Sequence, residues 1–402
     1  GDKSISHRAL LLGALAEGTS TVHGLSTGAD VAATAAAVVA LGAEVDGGRI
    51  TGGRGRLHRP ASVIDVGNSG TTLRLLAGMC AAFAWDTTFD GDDSIRRRPM
   101  ERVAEPLRRM GAGVDGATAP LTVRGGNLHG IDYDLPVASA QVKGAVLLAA
   151  LGAEGETVVR ETVPTRAHTE EMLAACGVDL EVSGDRLVTR LRPAKLEPFE
   201  LAVPGDPSQA AFWVVAACIV PGSEVVVEQV YVGQARAGFV DVLRRMGAEV
   251  ELDRLDATTA DIHARSGPLR GTVVGGDEVP GLIDEIPVLA VAAAMADGPT
   301  VFRDAGELAV KETDRIAAVT AGLSALGARV EALPDGLVVG GGGGLRAATV
   351  SSRGDHRMAM ALAVAGLAVA GGRPTVVDGW DAVATSYPDF ADDLRRLCRA
   401  GR

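Results

Sequence analysis

The chain has 402 residues, with 39 Lys and Arg against 51 Asp and Glu, a net charge of −12, and 47% hydrophobic residues. That length and apolar content call for two or three domains with sizeable cores, and no apolar run reaches the ~18 residues of a membrane span. The acidic balance excludes a general polyanion binder such as a nucleic-acid protein, while leaving room for a small anionic substrate at a local basic cluster.

Only 13 residues are aromatic, so the cores must be built from Leu, Val, Ile and Ala. Lys occurs only at 3, 143, 195 and 311, against 35 Arg. A Lys in so Arg-rich a chain marks a place that needs a compact ammonium rather than a planar fork. Lys195, between Pro193 and Pro198, reads as a bland loop residue. Cys80, Cys176, Cys218 and Cys398 sit in apolar or helical contexts without metal-ligand spacing. They read as buried free thiols of a reducing cytoplasm. The chain opens Gly1-Asp2-Lys3 without a Met and reads as starting inside an element.

In chain order, six polar heads lead into apolar helical runs. They are KSISHRALLLGAL from Lys3, NSGTTLRLLAGM from Asn68 and SAQVKGAVLLAAL from Ser139, then DPSQAAFWVVAA from Asp206, DEIPVLAVAAAMA from Asp284 and DHRMAMALAVAGL from Asp355. Being apolar on nearly all sides, these helices should be buried. Each head puts Ser, Thr, Asp or Asn where an N-cap belongs, and a free helix N-terminus offers N–H groups to anions. In phase with them runs a second phrase: LGAEV at 41–45, MGAGV at 110–114, CGVDL at 176–180, MGAEV at 246–250 and LGARV at 326–330. A sixth copy starts at Leu394 and meets the chain end. Gly42, Gly111, Gly177, Gly247 and Gly327 fit the left-handed position after a helix, with a strand to follow.

The pattern predicts an α/β fold of two inside-out domains. Each has three repeated αβ units, with buried helices at the centre and sheets outside. The boundary falls in the Pro-rich stretch before Asp206, giving domains 1–203 and 204–402. The Gly340–Gly344 run, between LVV and ATV, reads as a hairpin turn. It lacks the Lys-Ser/Thr of a phosphate loop.

Six segments carry a resemblance along essentially the whole chain, in order: GDKSISHR at 1–8, GNSGTTLR at 67–74, RRRPM at 96–100, SAQVK at 139–143, VKETDR at 310–315 and DHRMAMA at 355–361. Together they resemble the 5-enolpyruvylshikimate-3-phosphate synthase family of enolpyruvyl transferases. The resemblance implies the same two-domain fold, with a C-terminal-domain strand ahead of residue 1 that is absent or unnumbered here. It also implies a cytoplasmic monomer that joins phosphoenolpyruvate to the 5-hydroxyl of shikimate 3-phosphate, without metal or organic cofactor. Glyphosate is the implied inhibitor, at the phosphoenolpyruvate site. Neither a nucleic acid nor a membrane is implied as a partner.

Such chemistry needs clamps for phosphates and carboxylates, a base for the hydroxyl and an acid for the methylene carbon. The resemblance implies Asp284, Glu312 and Lys3 as catalytic groups. Lys3, Ser4, Arg8, Ser139, Ala140, Gln141, Arg166, Asp284 and Lys311 are the implied ligands of shikimate 3-phosphate. Lys3, Gly70, Arg98, Gln141, Arg315 and Arg357 are those of phosphoenolpyruvate. Ser4 and Arg8, and likewise Lys311 and Arg315, lie four residues apart and would share helix faces. Asn68 and Thr71 lie beside Gly70, and His356 beside Arg357. Arg74 reads as structural, Arg96 and Arg97 as solvated. Lys143 is either a cation behind the ligands or a helix-surface residue. Glu285 is the rival of Asp284 as base. Thr385 and Glu307 depart from residues some members carry, so contacts there do not transfer.

The nearest alternative is a UDP-N-acetylglucosamine enolpyruvyl transferase, whose reactive cysteine position is held by Asp93. An RNA 3′-phosphate cyclase would favour a basic surface and ATP binding. A non-catalytic binding module would have lost Lys3, Asp284 or Glu312.

Overall fold

The structure, a computed structural model, describes residues 1–370 and 373–400. The chain divides into two compact units, Gly1–Val203 and Pro204–Arg402.

In the first unit one plan recurs three times. A buried helix leads to a strand, then to an amphipathic helix, then to a two-stranded hairpin. A fourth strand joins each sheet in parallel. The first sheet runs in the order 200–202, 18–23, 49–52, 44–46; the second runs 64–65, 86–90, 121–124, 113–115; the third runs 132–134, 157–160, 188–191, 180–183. In the second unit the sheets are a three-stranded one (224–231, 259–265, 249–254), a four-stranded one (273–274, 299–302, 336–340, 329–333) and the parallel pair Thr349–Ser351 with Val376–Asp378.

The helices of the core are Lys3–Leu15, Gly70–Ala81 and Ala140–Ala150 in the first unit. In the second they are Pro207–Ile219, Ile286–Met295 and His356–Leu367. In Ile286–Met295 every residue from Ile286 to Ala294 is buried. A ten-residue helix this apolar forms through tertiary packing, not by propensity. The three helices of the second unit pack on one another. In the first, Gly70–Ala81 packs on both Lys3–Leu15 and Ala140–Ala150. A Cβ on Gly78 would stand 2.1 Å from the carbonyl oxygen of Ala145, so this crossing tolerates no side chain there. The outer helices are one-sided: Glu101–Arg109 buries Val103, Ala104 and Leu107 and leaves Arg108 and Arg109 outside. The expected buried-helix, outer-sheet architecture is what is found.

The repeated glycines end the outer helices in one motif. Gly42, Gly111, Gly177, Gly247 and Gly327 all have positive φ, between 78° and 108°. At each, the glycine N–H and the next N–H fold back on the last turn, as in Gly42 N to Val39 O at 2.9 Å and Ala43 N to Val38 O at 3.0 Å. These paired bonds satisfy carbonyls the helix leaves open.

Three expectations need correction. Cys398 is exposed, unlike the other three cysteines; it lies on the amphipathic helix Phe390–Ala400, whose polar face is solvated. Burial pushes the Cys80, Cys176 and Cys218 thiols up to about 12, so they are poor nucleophiles. The Gly340–Gly344 run makes no hairpin. Gly336–Gly340 pairs with Pro299–Phe302 and Arg329–Leu333, whereas Thr349–Ser351 joins Val376–Asp378, so the glycines carry the chain between sheets. The caps also differ. Asp2 caps the first helix, accepting from Ile5 N at 2.9 Å, and Glu285 precedes Ile286–Met295 with no side-chain cap bond. No helix among the described residues is long and apolar enough to cross a membrane.

Candidate active site

In the first unit the helix heads gather cations. Lys3, the first residue of its helix, donates to Asp30 Oδ2 at 2.9 Å. Asp30 stands in the first turn of Ala29–Ala40, where the helix dipole favours an acid. Sequence reasoning missed it; an acid next to a helix start was its only local signal. One turn beyond Ser4, Arg8 is almost fully buried. Its Nη1 donates to the Ser4 carbonyl at 3.0 Å and its Nε to Thr169 Oγ1 at 2.7 Å. Ser4 and Arg8 therefore share a face as expected.

Gly70 opens the second buried helix, with Ser69 as its cap. A Cβ there would stand 2.7 Å from Arg98 Nη1 and 2.8 Å from Arg74 Nη1. Two guanidinium groups thus lie against one helix N-terminus, an arrangement suited to an anion. Arg98 Nη2 donates to Asn68 Oδ1 at 3.4 Å and Ser94 Oγ at 3.3 Å. Arg74 Nη1 donates to Gln141 Oε1 at 2.8 Å, and Gln141 Nε2 donates to Thr71 Oγ1 at 2.9 Å. Arg74, read as structural from sequence, orients Gln141. Ser139 caps the third buried helix, so Ala140 begins it. Arg166 is half-buried just ahead of helix His168–Ala175. Arg96 and Arg97 are exposed, Arg96 pairing with Asp90. Asp93 is exposed as well. Lys143 is no helix-surface residue: it is buried and paired with Glu161 and Glu170.

Behind Lys3 and Arg8 lies His7. Its Nδ1 is 2.7 Å from Thr34 Oγ1, which is 2.6 Å from Thr72 Oγ1, which donates to Ser69 Oγ at 2.6 Å. This chain of bonds ties three helices together. Burial first, then the charges of Lys3 and Arg8, hold His7 well below its ordinary 6.5. Below that value the unfolded chain takes up a proton that the folded protein refuses, so stability falls with pH. The contribution is at most about 1.4 kcal/mol per pH unit. His7→Asn should remove that slope below pH ~6.5, measured by urea unfolding at pH 7 and 5. Parallel profiles for the two proteins would show that His7 takes no part in it.

The second unit gathers three cations and three carboxylates. Arg315, with its side chain only 1% exposed, donates from Nε to Asp355 Oδ2 at 2.8 Å, from Nη1 to Asp284 Oδ1 at 3.2 Å and from Nη2 to Glu312 Oε2 at 2.6 Å. Lys311 Nζ lies 3.7 Å from Asp284 Oδ1, and Arg357 Nη2 lies 3.8 Å from Asp284 Oδ2. Burial alone would lower Arg315, but Asp355, Glu312 and Asp284 outweigh it and hold its pKa above the ordinary value. Asp355 also caps His356–Leu367, its Oδ1 accepting from Arg357 N at 2.8 Å.

Asp284 and Glu285 part company. Asp284 lies in the turn before Ile286–Met295 and joins the three cations. Glu285 is buried and accepts from Ser208 Oγ; Arg236 donates to that same Oγ at 3.1 Å and to Asp206 at 2.9 Å. One expectation fails here. Lys311 shares no helix with Arg315, because Asp314 caps the helix that begins at Arg315, accepting from Ala317 N at 3.0 Å. Both cations nevertheless reach Asp284. Glu307 is exposed, and Thr385 ends a short 3₁₀ turn. No group of three or more His, Cys, Asp or Glu placed to hold a metal occurs among the described residues.

Residues 1–394 match the family of EPSP synthase (3-phosphoshikimate 1-carboxyvinyltransferase). Curated proteins of that name from Roseiflexus castenholzii and Gloeobacter violaceus are each 50% identical, over 99% of this chain and 95% of theirs. The EPSP synthase structure from Acinetobacter baumannii superposes with a TM-score of 0.85 at 43% identity, covering 99% of this chain and 94% of that one. The enolpyruvyl transferase NikO from Streptomyces tendae, at 20% identity and a TM-score of 0.79 over 99% of this chain and 93% of that one, shares the fold.

Proposed function

Because the chain belongs to the EPSP synthase family, the 3-phosphoshikimate 1-carboxyvinyltransferases, we propose that it transfers the enolpyruvyl group of phosphoenolpyruvate to the 5-hydroxyl of shikimate 3-phosphate and releases phosphate. The observation that carries the residue assignments is the parting of Asp284 and Glu285. Asp284 meets Lys311, Arg315 and Arg357, while Glu285 is spent on Ser208.

In this reading Asp284 takes the proton of the 5-hydroxyl as its oxygen bonds to the central carbon of phosphoenolpyruvate. Glu312 relays a proton to the methylene, giving a tetrahedral ketal with a methyl group. A methyl proton then returns to the enzyme and the carbon–oxygen bond to phosphate breaks. Lys3 follows the charge as it shifts. Ser4, Arg8, Ser139, Ala140, Gln141, Arg166 and Lys311 bind shikimate 3-phosphate. Gly70, Arg98, Gln141, Arg315 and Arg357, with Lys3, bind phosphoenolpyruvate. Cationic side chains supply the charge neutralisation, so the reading calls for neither metal nor organic cofactor, and a cytoplasmic monomer suffices. Phosphate release from phosphoenolpyruvate, with and without shikimate 3-phosphate, tests it. Release that does not depend on shikimate 3-phosphate would sink the proposal.

Glyphosate should inhibit competitively with phosphoenolpyruvate. A methyl group on Gly70 would stand 2.7 Å from Arg98 Nη1 and 2.8 Å from Arg74 Nη1. Both atoms in the way are ends of flexible side chains, so Gly70→Ala should fold and shift the guanidinium groups. Leu75, where some sensitive relatives have Pro, is fully buried; a Cβ on Gly144 would stand 2.9 Å from its Cδ2, so it packs toward Ala140–Ala150. A direct clash outweighs an indirect helix shift. Gly70→Ala should therefore raise the inhibition constant at least about tenfold, or ~1.4 kcal/mol. The KM for shikimate 3-phosphate should stay within about threefold, or ~0.7 kcal/mol. A wild-type enzyme indifferent to millimolar glyphosate, with no further change in Gly70→Ala, would place control in Leu75 or the surrounding loop.

A further inference from the structure

The mechanism above leaves a buried charged cluster of the first unit unused. Lys143 Nζ donates to Glu161 Oε2 at 2.7 Å and to Glu170 Oε1 at 2.6 Å, and the three side chains are 1%, 1% and 6% exposed. The other oxygen of Glu161 accepts from the Thr165 backbone N–H at 3.2 Å and from the Thr165 hydroxyl. These bonds close a stretch, 162–165, that has no helix or strand of its own. Arg166 follows directly. Glu170 is the neighbour of Thr169, whose hydroxyl accepts a hydrogen bond from Arg8 Nε at 2.7 Å. Lys143 itself sits in the first turn of Ala140–Ala150, whose head carries Ser139, Ala140 and Gln141. On the next residue, a Cβ at Gly144 would stand 2.9 Å from Thr169 Oγ1 and 3.4 Å from Arg8 Nη2. One ammonium thus ties the head of a helix to the segment that carries Arg166 and the acceptor of Arg8.

We propose that Lys143, Glu161 and Glu170 are positioning residues that set Arg166 and the head of Ala140–Ala150 for the phosphate group of shikimate 3-phosphate. The proposal rests on the function proposed above. Stability alone is a poor reason for such a cluster, because buried ion pairs are often matched or bettered by apolar side chains of similar volume. The cluster also uses one of four Lys in a chain with 35 Arg. A compact ammonium meets two carboxylates at a point, where a planar guanidinium would need more room. The polar bonds fix direction as well as distance, which apolar packing does not. What they fix is an irregular turn leading to a cation and a helix N-terminus, two anion-binding elements that must face one phosphate.

The test compares equilibrium binding of shikimate 3-phosphate and of shikimate, which lacks the phosphate, to wild type, Glu161→Gln and Lys143→Met. Glu161→Gln keeps the shape of the side chain and leaves Lys143 paired with Glu170, so it carries the test should Lys143→Met fail to fold. Shikimate 3-phosphate should bind Glu161→Gln about tenfold more weakly, the scale of one lost charge-assisted hydrogen bond. Shikimate should change less than about twofold, since it makes no phosphate contact. A purely structural cluster would lower the melting temperature and leave the ratio of the two affinities alone. That result, or equal weakening of both ligands, overturns the proposal. A wild-type protein that binds no shikimate 3-phosphate would instead overturn the function on which it rests.

Discussion

Asp284→Asn is expected to lower turnover by roughly 10²- to 10⁴-fold, the usual scale for loss of a general base. Binding of shikimate 3-phosphate should be largely kept. The change is isosteric, and an amide oxygen can still accept from Arg315 Nη1, which lies 3.2 Å from Asp284 Oδ1. What is lost is the negative charge and the capacity to take a proton. Glu285→Gln should behave differently. Glu285 is buried and accepts from Ser208, which also takes a bond from Arg236. Weakening that network should cost stability, about 1.5–3 kcal/mol for a hydrogen bond to a charged group. Its turnover should remain near normal below the unfolding temperature. Single-turnover kinetics on both variants, alongside their unfolding curves, separate the two effects. Near-normal turnover in Asp284→Asn, with the loss appearing in Glu285→Gln, would reverse the assignment.

What could be read from the sequence was what local geometry dictates. The glycines at 42, 111, 177, 247 and 327 were legible because a left-handed residue after a helix disfavours a side chain. The six core helices were legible because no polar face interrupts them. The resemblance favours Asp284 over its neighbour Glu285, and the structure adds a physical difference between the two environments. Pairings between distant segments were not legible. Asp30 meets Lys3 across 27 residues, and Glu161 meets Lys143 across 18, with no periodicity to announce either. The Gly340–Gly344 run was misread for the same reason: a glycine turn does not say which sheet the next strand will join. Lys311 and Arg315 were misread as one helix because spacing four apart carries no notice of the cap at Asp314.

Arg315→Met should destabilise the protein by about 3–5 kcal/mol at pH 7, the cost of removing one partner from a buried charged group. For a unit of this size that corresponds to a fall in melting temperature of roughly 6 °C or more. Three terms compete. Desolvation of the guanidinium is a cost the variant avoids, and the Met side chain adds some apolar burial. Against them, the variant strands Asp355, Glu312 and Asp284, all of which donors of one guanidinium now reach. Lys311 and Arg357 compensate little, since they lie 3.7 Å and 3.8 Å from Asp284. The Asp355 side chain is fully buried and already engaged as a helix cap, so it cannot turn to solvent. The carboxylate term should therefore win, and pH provides the check. In the variant the crowded carboxylates hold protons more tightly than they do in the unfolded chain, so its stability falls as pH rises through and above the carboxylate range, near 4. The deficit relative to wild type should be largest at neutral pH and shrink toward pH 4. Arg315→Lys should recover only part of it, since one ammonium cannot serve three separate carboxylates in the directions the planar fork does. Urea unfolding of the three proteins from pH 4 to pH 8 measures this. A deficit independent of pH would mean that lost packing, and not stranded charge, is what Arg315→Met exposes.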